Sequence, residues 1–372
     1  MPTMRETVTH IKKHVSFDGM DLTTATRQRR DSIVMRGRVD MFTGYGQLFC
    51  YVAQCFIKMG FDVRIMPISM DLEKVPVDPE ILSRFIDLDE AADVLIHPAD
   101  VMHHLLNPTR LNEIAFTMWE ASRIRQEAVD ALNAYGRALV VPNAWNASCL
   151  NACGVDIPVR IVPLGIDPRI YHQQPMPPRD EAFVFGAAGR MAHGGCRKGL
   201  NEVMQAFSMA FPDEKDVKLR IKAHDDCGLD TCTDPRVEVA RKFMSEAEMS
   251  TWYESNHCFV SAAKSEGWGL HQHQSMAVGR PVIAIRFSGL DEFFNDRYGY
   301  EVDYRIAEAT DFYANLGVWA EPRLDSLVEQ MRRAYENFDE VVDKGKAAAR
   351  QAQRFTYQHT ADKLLEVINE LG

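Results

Sequence analysis

The chain has 372 residues, 46% of them hydrophobic and 26% charged, which is enough apolar material for more than one core and excludes a disordered sequence. With 42 Lys and Arg against 53 Asp and Glu, the formal net charge of −11 argues against a surface built wholly for polyanions, while leaving room for a local basic groove. The start MPTMRETVTHIKK lacks an apolar signal core and no run of about 18 apolar residues follows, so a cytoplasmic location without a membrane span is expected. The eight cysteines are scattered with no C-x-x-C pair, as idle thiols in a reducing compartment would be.

Residues 1–31 read as a basic extension. Residues 1–40 hold eight Lys and Arg against five Asp and Glu, so this stretch is either a solvated arm or a phosphate-tracking groove. From there short β-rich runs alternate with helical patterns: SIVM (32–35), DVRIM (62–66), DVLI (93–96), IAFTMW (114–119), ALVV (138–141) and VRIV (159–162). A helix after Gly46 places Leu48, Tyr51, Val52, Cys55, Phe56 and Met59 on one face and stops at Gly60. The proline-rich stretch YHQQPMPPRD (171–180) suits neither sheet and marks a seam. Beyond it come FVFGAAG (183–189), VKLRI (217–221), CFVSAA (258–263) and PVIAI (281–285), then amphipathic helices near 324–337, 340–353 and 359–370. Near-continuous apolar strands separated by helices predict parallel sheets covered on both faces. The expected architecture is two doubly wound α/β domains, 32–174 and 175–352, with 353–372 a helix returning toward the first domain.

Such domains bind ligands on the loops beyond the carboxyl ends of their strands. In FGAAGRMAHGGCRKGLNEVMQAF (185–207), Arg190 after Gly189 and Lys198 at a helix head bring two cations to one strand end, suited to a diphosphate; a solvated Gly-rich turn has the same composition. The loop is neither a P-loop nor a G-x-G-x-x-G fingerprint. In SAAKSEGWGLHQHQSMAVGRPVIAIRFSGLDEFF (261–294), Gly267 and Gly269 allow close backbone approach, and the following helix offers free N–H groups to an anion. Glu266 there is placed to accept from sugar hydroxyls, and Gln274, two turns on, to reach a ribose.

SEGWGLHQHQSMAVGRPVIA resembles the donor-binding segment of retaining glycosyltransferases of the GT-B fold, family 4 (glycosyl transferases group 1). The Arg190…Lys198-Gly199 element is similar to that family's second donor motif. TGYGQ (43–47), FTMWEASRI (116–124), VVPNAWNASCLNACGV (140–155) and VRIVPLGIDPRIY (159–171) extend the resemblance over about residues 32–370. It implies a nucleotide-diphosphate-sugar donor on the C-terminal domain and an acceptor on the N-terminal domain, with retention at the anomeric carbon and neither metal nor other cofactor. It assigns Arg190 and Lys198 to the departing diphosphate, Glu266 to the sugar, and Gly44, Gly46, Gly189, Gly267, Gly269, Leu270 and Gln274 to the rest of the donor site. The family's second Glu is Gln274 here, an acceptor oxygen without the charge, so altered donor affinity or donor type is expected.

An active-site His is implied near DVLI; His97, His103 and His104 are candidates, with His97 favoured because it directly follows the strand. Glu120, at the end of FTMWE, serves the acceptor hydroxyl as base or orienter, or caps a helix. Asn143 sits at the next strand end as an acceptor contact, and Trp145 is expected in the core. His271 and His273 read as helix residues. Asp225 and Asp226 read as a surface pair, not metal ligands. The acceptor is open; a hydroxylated base in DNA is one candidate, from the basic N-terminal segment. A hydrolytic or noncatalytic nucleotide-sugar-binding protein of the same fold is the alternative function.

Overall fold

The computed structural model describes residues 32–70, 77–86, 94–100, 104, 113–190, 195–223, 233–310, 313 and 315–371. The basic segment 1–31, His103, Gly194, Asp225 and Asp226 lie outside the described residues.

The first sheet contains β1 (Ser32–Val39), β2 (Asp62–Met70), β3 (Val94–Pro98), β4 (Glu113–Phe116), β5 (Gly136–Val141) and β6 (Val159–Ile161). They pair in parallel in the order β2-β1-β3-β4-β5-β6. The second contains β7 (Phe183–Gly189), β8 (Val217–Ala223), β9 (Val237–Arg241), β10 (Cys258–Val260), β11 (Val282–Ala284) and β12 (Gly299–Glu301), again all parallel, in the order β12-β11-β10-β7-β8-β9. Helices α1 (Gly44–Met59), α2 (Pro79–Ser83), α3 (Gln126–Tyr135) and α4 (Ala144–Ala152) accompany the first sheet. Helices α5 (Leu200–Ala210), α6 (Glu246–Glu254) and α7 (Leu270–Ala277) accompany the second. The chain closes with α8 (Leu324–Glu336), α9 (Phe338–Ala352) and α10 (Tyr357–Leu371). Two doubly wound domains thus face each other. Strand order reverses at β1/β3 in one and β7/β10 in the other, where such sheets open a crevice for ligands.

The apolar runs explain the burial. Phe183, Phe185 and Ala187 of β7 pack against Leu200, Val203 and Phe207 of α5, all essentially inaccessible to solvent. Helix α1 buries Leu48, Phe49, Val52 and Phe56, is capped by the Thr43 hydroxyl, which accepts from Gly46 N at 3.0 Å, and stops at left-handed Gly60 (φ 91°). The proline-rich connector is held down: the buried Arg280 guanidinium donates to the carbonyls of Gln174, Pro175 and Glu254. Helix α10 returns to the first domain, where the Tyr357 ring stacks on Tyr51 of α1 at 4.6 Å and the Thr360 hydroxyl donates to Pro163 O.

Beyond the edge strands β9 and β12, which none of the expected runs includes, two features depart from expectation. The IAFTMW strand ends at Phe116 and not at Trp119, because the chain turns there so that Met118 N donates to the Tyr45 hydroxyl at 2.8 Å. An antiparallel hairpin, β13 (Tyr304–Glu308) and β14 (Val318–Pro322), interrupts the second domain and crosses to the first. Its Tyr313 and Trp319 pack with Trp119, Ile124 and Leu139, and Val318 N donates to Ser122 Oγ.

Candidate active site between the domains

Each site residue is placed by local constraints on the loop that carries it. Gly199 heads α5 in a left-handed conformation (φ 65°), and a Cβ there would lie 2.2 Å from Ala262 O. That close approach seats Arg197 and Lys198 against the loop after β10, and Lys264 N donates to Arg197 O at 2.8 Å. The same loop is pinned from the other side: Ser288, itself at φ 52°, accepts from Glu266 N and donates to Glu266 O. A Cβ on Gly267 would meet Met118 of the first domain at 2.6 Å, and Asn143 Nδ2 donates to Gly267 O at 2.6 Å. In the first domain, buried Asp40 organises the glycine loop by accepting from Thr43 N and Thr43 Oγ1 at 2.8 and 2.7 Å. A Cβ on Gly46 would come within 2.1 Å of Asp40 O, so only glycine fits.

Two adjoining cavities result. The smaller, about 250 Å³, is bordered by Gly44, Met118, Glu120, Arg197, Lys198, Glu266 and the Gly267–Leu270 turn. The larger, about 590 Å³, is bordered by Gly189, Arg190, Lys222, Phe243 and Glu246. Lys198, His271 and Gln274 line both.

Glu266 is the electrostatic centre. Lys198 Nζ donates to its two oxygens at 2.7 and 2.8 Å, and Arg197 Nη1 donates to Oε2 at 2.9 Å and to Ser265 O at 2.6 Å. Burial alone would raise the Glu266 pKa; Lys198 and Arg197 outweigh it and hold the carboxyl down to about 2. Lys198 is pushed below the usual lysine range by burial and by Arg197, with Glu266 opposing. Arg197 Nη2 lies 3.8 Å from Glu120 Oε1 across the cleft, and Glu120 Oε2 accepts from Tyr313 at 2.7 Å. Despite burial, Arg197 is held firmly charged by Glu120 and Glu266. Arg190, by contrast, is exposed at the rim of the larger cavity and has no ion-pair partner among the described residues. Gln274 Oε1 accepts from the Tyr253 hydroxyl at 3.1 Å, and its amide reaches Gln47 of the first domain at 3.3 Å. Helix α7 starts at left-handed Gly269 (φ 99°) with no side-chain cap.

The structure therefore brings together Gly44, Glu120, Gly189, Arg190, Lys198, Glu266, Gly267, Gly269, Leu270 and Gln274, with Gly46 buried beneath the glycine loop. It sets His97 apart: the ring is fully buried, its Nδ1 lies 3.2 Å from Glu113 Oε2, and burial keeps it neutral with a pKa lowered to about 4. His104 takes the other Glu113 oxygen at 3.1 Å. Among the described residues this buried His97–His104–Glu113 group could hold a metal ion, and it borders neither cavity. Asn143 is a buried N-cap and interdomain tie that borders neither cavity. Trp145 is half-buried on a separate cavity of about 550 Å³, against Phe287, and not in the core. His273 is a core residue, receiving Trp268 Nε1 and bonding Ala352 O. His271 lines the cavities, with burial lowering its pKa to about 3. Sequence reasoning passed over Arg197, whose only signal was its place beside Lys198, and Tyr313, which had none.

Two facing parallel-sheet domains with a returning C-terminal helix are the GT-B architecture. Residues 182–317 match the family described as glycosyl transferases group 1. Among curated proteins, the chain is 33% identical over 115 residues to a sucrose synthase of Acidithiobacillus caldus, which is 31% of this chain and 13% of that protein. It is 34% identical over 120 residues to a D-inositol 3-phosphate glycosyltransferase of an Arthrobacter strain, which is 32% of this chain and 24% of that protein. The match thus spans less than a quarter of either relative's length. Solved structures align over nearly the whole chain. A sucrose-phosphate synthase from Thermosynechococcus elongatus gives a TM-score of 0.69 at 13% identity, covering 92% of this chain and 99% of that one. Anabaena HepE, solved with UDP and glucose, gives 0.70 at 11% identity, covering 92% and 100%.

Proposed function

We propose that this protein is a retaining glycosyltransferase that moves a sugar from a nucleotide-diphosphate sugar to an acceptor hydroxyl. The observation that carries this reading is the division of charge in the cleft. Lys198 stands between a rim cation, Arg190, with no ion-pair partner among the described residues, and a carboxylate, Glu266, inside the smaller cavity. A diphosphate in the larger cavity lies against Arg190 and Lys198, and the sugar projects toward Glu266 and the Gly267–Leu270 turn. The group 1 match covers this half of the cleft.

In the reaction the bond from the anomeric carbon to the phosphate oxygen breaks and a bond from that carbon to the acceptor oxygen forms on the same face. The acceptor proton passes to the departing phosphate oxygen. Negative charge grows on the diphosphate in the transition state, so cations brought against it lower the barrier, and Arg190 and Lys198 supply them without a metal ion or other cofactor. Glu266 orients the sugar through its hydroxyls, and Glu120, from the first domain, meets the acceptor. A hydroxylated base in DNA remains our candidate acceptor; Arg38, the exposed member of the basic segment that is described, is paired with Asp40 and borders the donor side. Salt-dependent duplex binding supports that acceptor, and no binding at low salt sinks it.

The test is a melting panel of UDP-, GDP-, ADP- and TDP-sugars with their diphosphates, followed by assay of nucleotide release. A ligand at about 100 times its dissociation constant stabilises by ~2.7 kcal/mol. Binding that Arg190→Ala abolishes, together with nucleotide release that depends on an acceptor, is the expected result. Release without any acceptor points to a hydrolase, and binding without release to a noncatalytic protein. A wild-type melt unmoved by every member of the panel refutes the donor site.

A further inference from the structure

Arg197 borders the donor site, and the diphosphate reading does not use it. Arg197 and Lys198 are adjacent, and both bond Glu266, yet they face different spaces: Lys198 borders both cavities, Arg197 only the smaller. Lys198 ends in a compact ammonium on a flexible stem, bonded among the described residues only to Glu266, and from the border of both cavities it can exchange that carboxylate for phosphate oxygens. Arg197 is not free to swing. Its guanidinium is tied to both Ser265 O and Glu266, and its own carbonyl accepts from Lys264 N.

Resting on the function proposed above, we infer that Arg197 is a positioning residue: it holds Glu266 ionised and oriented toward the sugar when Lys198 turns to the diphosphate, and it ties that carboxylate across the cleft to Glu120. Without Arg197, the departure of Lys198 would leave a buried carboxylate with no counter-charge. Such a group rotates away or takes up a proton. With Arg197 in place, Glu266 keeps one charged donor, and the chain Glu266–Arg197–Glu120–Tyr313 runs from the donor loop through the acceptor-side carboxylate to the hairpin. Sugar binding and acceptor positioning then share one guanidinium.

The inference separates the sugar from the diphosphate, and so does its test. Dissociation constants of UDP, GDP, ADP and TDP and of their glucose conjugates would be measured for the wild type, Arg197→Gln and Arg197→Lys, with circular dichroism melts to establish folding. Arg197→Gln is expected to hold the diphosphate within about 2-fold of wild type while weakening the sugar conjugate by ~10-fold or more, the loss of one charge-assisted hydrogen bond. Arg197→Lys should fall between the two, since an ammonium restores the charge but not the fork. In turnover, kcat should fall more than KM for the conjugate rises, and the acid limb of the pH profile should move upward as Glu266 loses its fixed cation. Equal weakening of diphosphate and conjugate makes Arg197 a phosphate ligand and overturns the inference. So does an Arg197→Gln variant that behaves as wild type, or one that loses both through misfolding while Arg197→Lys folds and shows no selective loss. A wild type that binds none of the eight ligands overturns the donor site itself, and this inference with it.

Discussion

Glu246 gives a prediction about stability that needs no ligand. It opens α6 behind the Ser245 cap, is about nine-tenths buried, and bonds the hydroxyl of Tyr51 from the opposite domain. Around it lie the phenol rings of Tyr51, Tyr171 and Tyr357, the Cys50 thiol and the Asp167 carboxylate, the last paired with Arg169. Burial, with Asp167 adding and the Tyr51 bond partly opposing, pushes the Glu246 carboxyl from 4.5 up to about 7. A raised acid binds its proton more tightly in the native state. The stabilisation is therefore complete below the unfolded value and is lost as pH rises through about 7. At about 1.4 kcal/mol per pH unit the full effect is ~3 kcal/mol, most of it falling between pH 5 and 8. For a chain of 372 residues unfolding as one unit this corresponds to ~4 °C in Tm. Calorimetric scans of wild type and Glu246→Gln at pH 5, 6, 7 and 8 isolate it, because every other titrating group is common to both. The wild-type minus variant difference should fall by ~3 °C from pH 5 to 8. Parallel profiles would show that Glu246 ionises at no cost in the folded protein, and the buried, protonated interdomain contact would be wrong.

Gln274→Glu places the Glu of the motif this segment resembles but sets a carboxylate against Gln47 Oε1 in a position only 4% exposed, so the protein without added ligand should lose ~1–3 kcal/mol in urea titrations, with diphosphate affinity measured alongside. Trp319→Ala, in a side chain fully buried among the hairpin and the first domain, should cost ~3–5 kcal/mol by the same titration, and a loss under 1 kcal/mol would mean the hairpin does not bind the domains together.

The inner strands were legible because apolar runs such as FVFGAAG and PVIAI are buried on both faces, which leaves a continuous pattern in the sequence, whereas β9, half-exposed, and the three-residue β12, the two edges of the second sheet, left none. The Gly60 stop and the placing of Lys198 and Glu266 on facing loops were legible for local reasons: a helix end and a strand-to-helix turn are each written in a few neighbouring residues. What failed to show was nonlocal. His97, expected just after the strand as a cleft residue would be, lies within β3, and Glu113, sixteen positions on, holds its ring in the interior. Trp145 looked like core, yet its packing depends on Phe287 from the other domain. The hairpin carrying Tyr313 is explained only by the apolar patch around Trp119 that receives it, nearly two hundred residues earlier in the chain. Asp40 and Arg197 were visible as residues but not as partners, since nothing along the chain announces that a carboxylate will cap its own loop or that a guanidinium will span two domains.

The charged side chains of the cleft satisfy one another, and that bears on how a ligand would enter. Arg197 and Lys198 are matched by Glu266 and Glu120, two cations against two anions within one connected set of contacts. Among the described residues, the outer cavity presents Arg190 at its rim with no ion-pair partner, where a diphosphate would first meet positive charge. On the function proposed above, binding would proceed from the rim inward: Arg190 would receive the anion, and Lys198 would then exchange a carboxylate for a phosphate, a swap of partners rather than a gain of one. The swap costs little in net charge but frees Glu266 for hydroxyl donors at the moment a sugar arrives with the phosphate. A free diphosphate brings the same anion without those hydroxyls, so the site should hold the sugar conjugate more tightly than its diphosphate. That preference is the reverse of what a cleft designed only around phosphate charge would show, since loss of the sugar leaves the diphosphate with an additional negative charge.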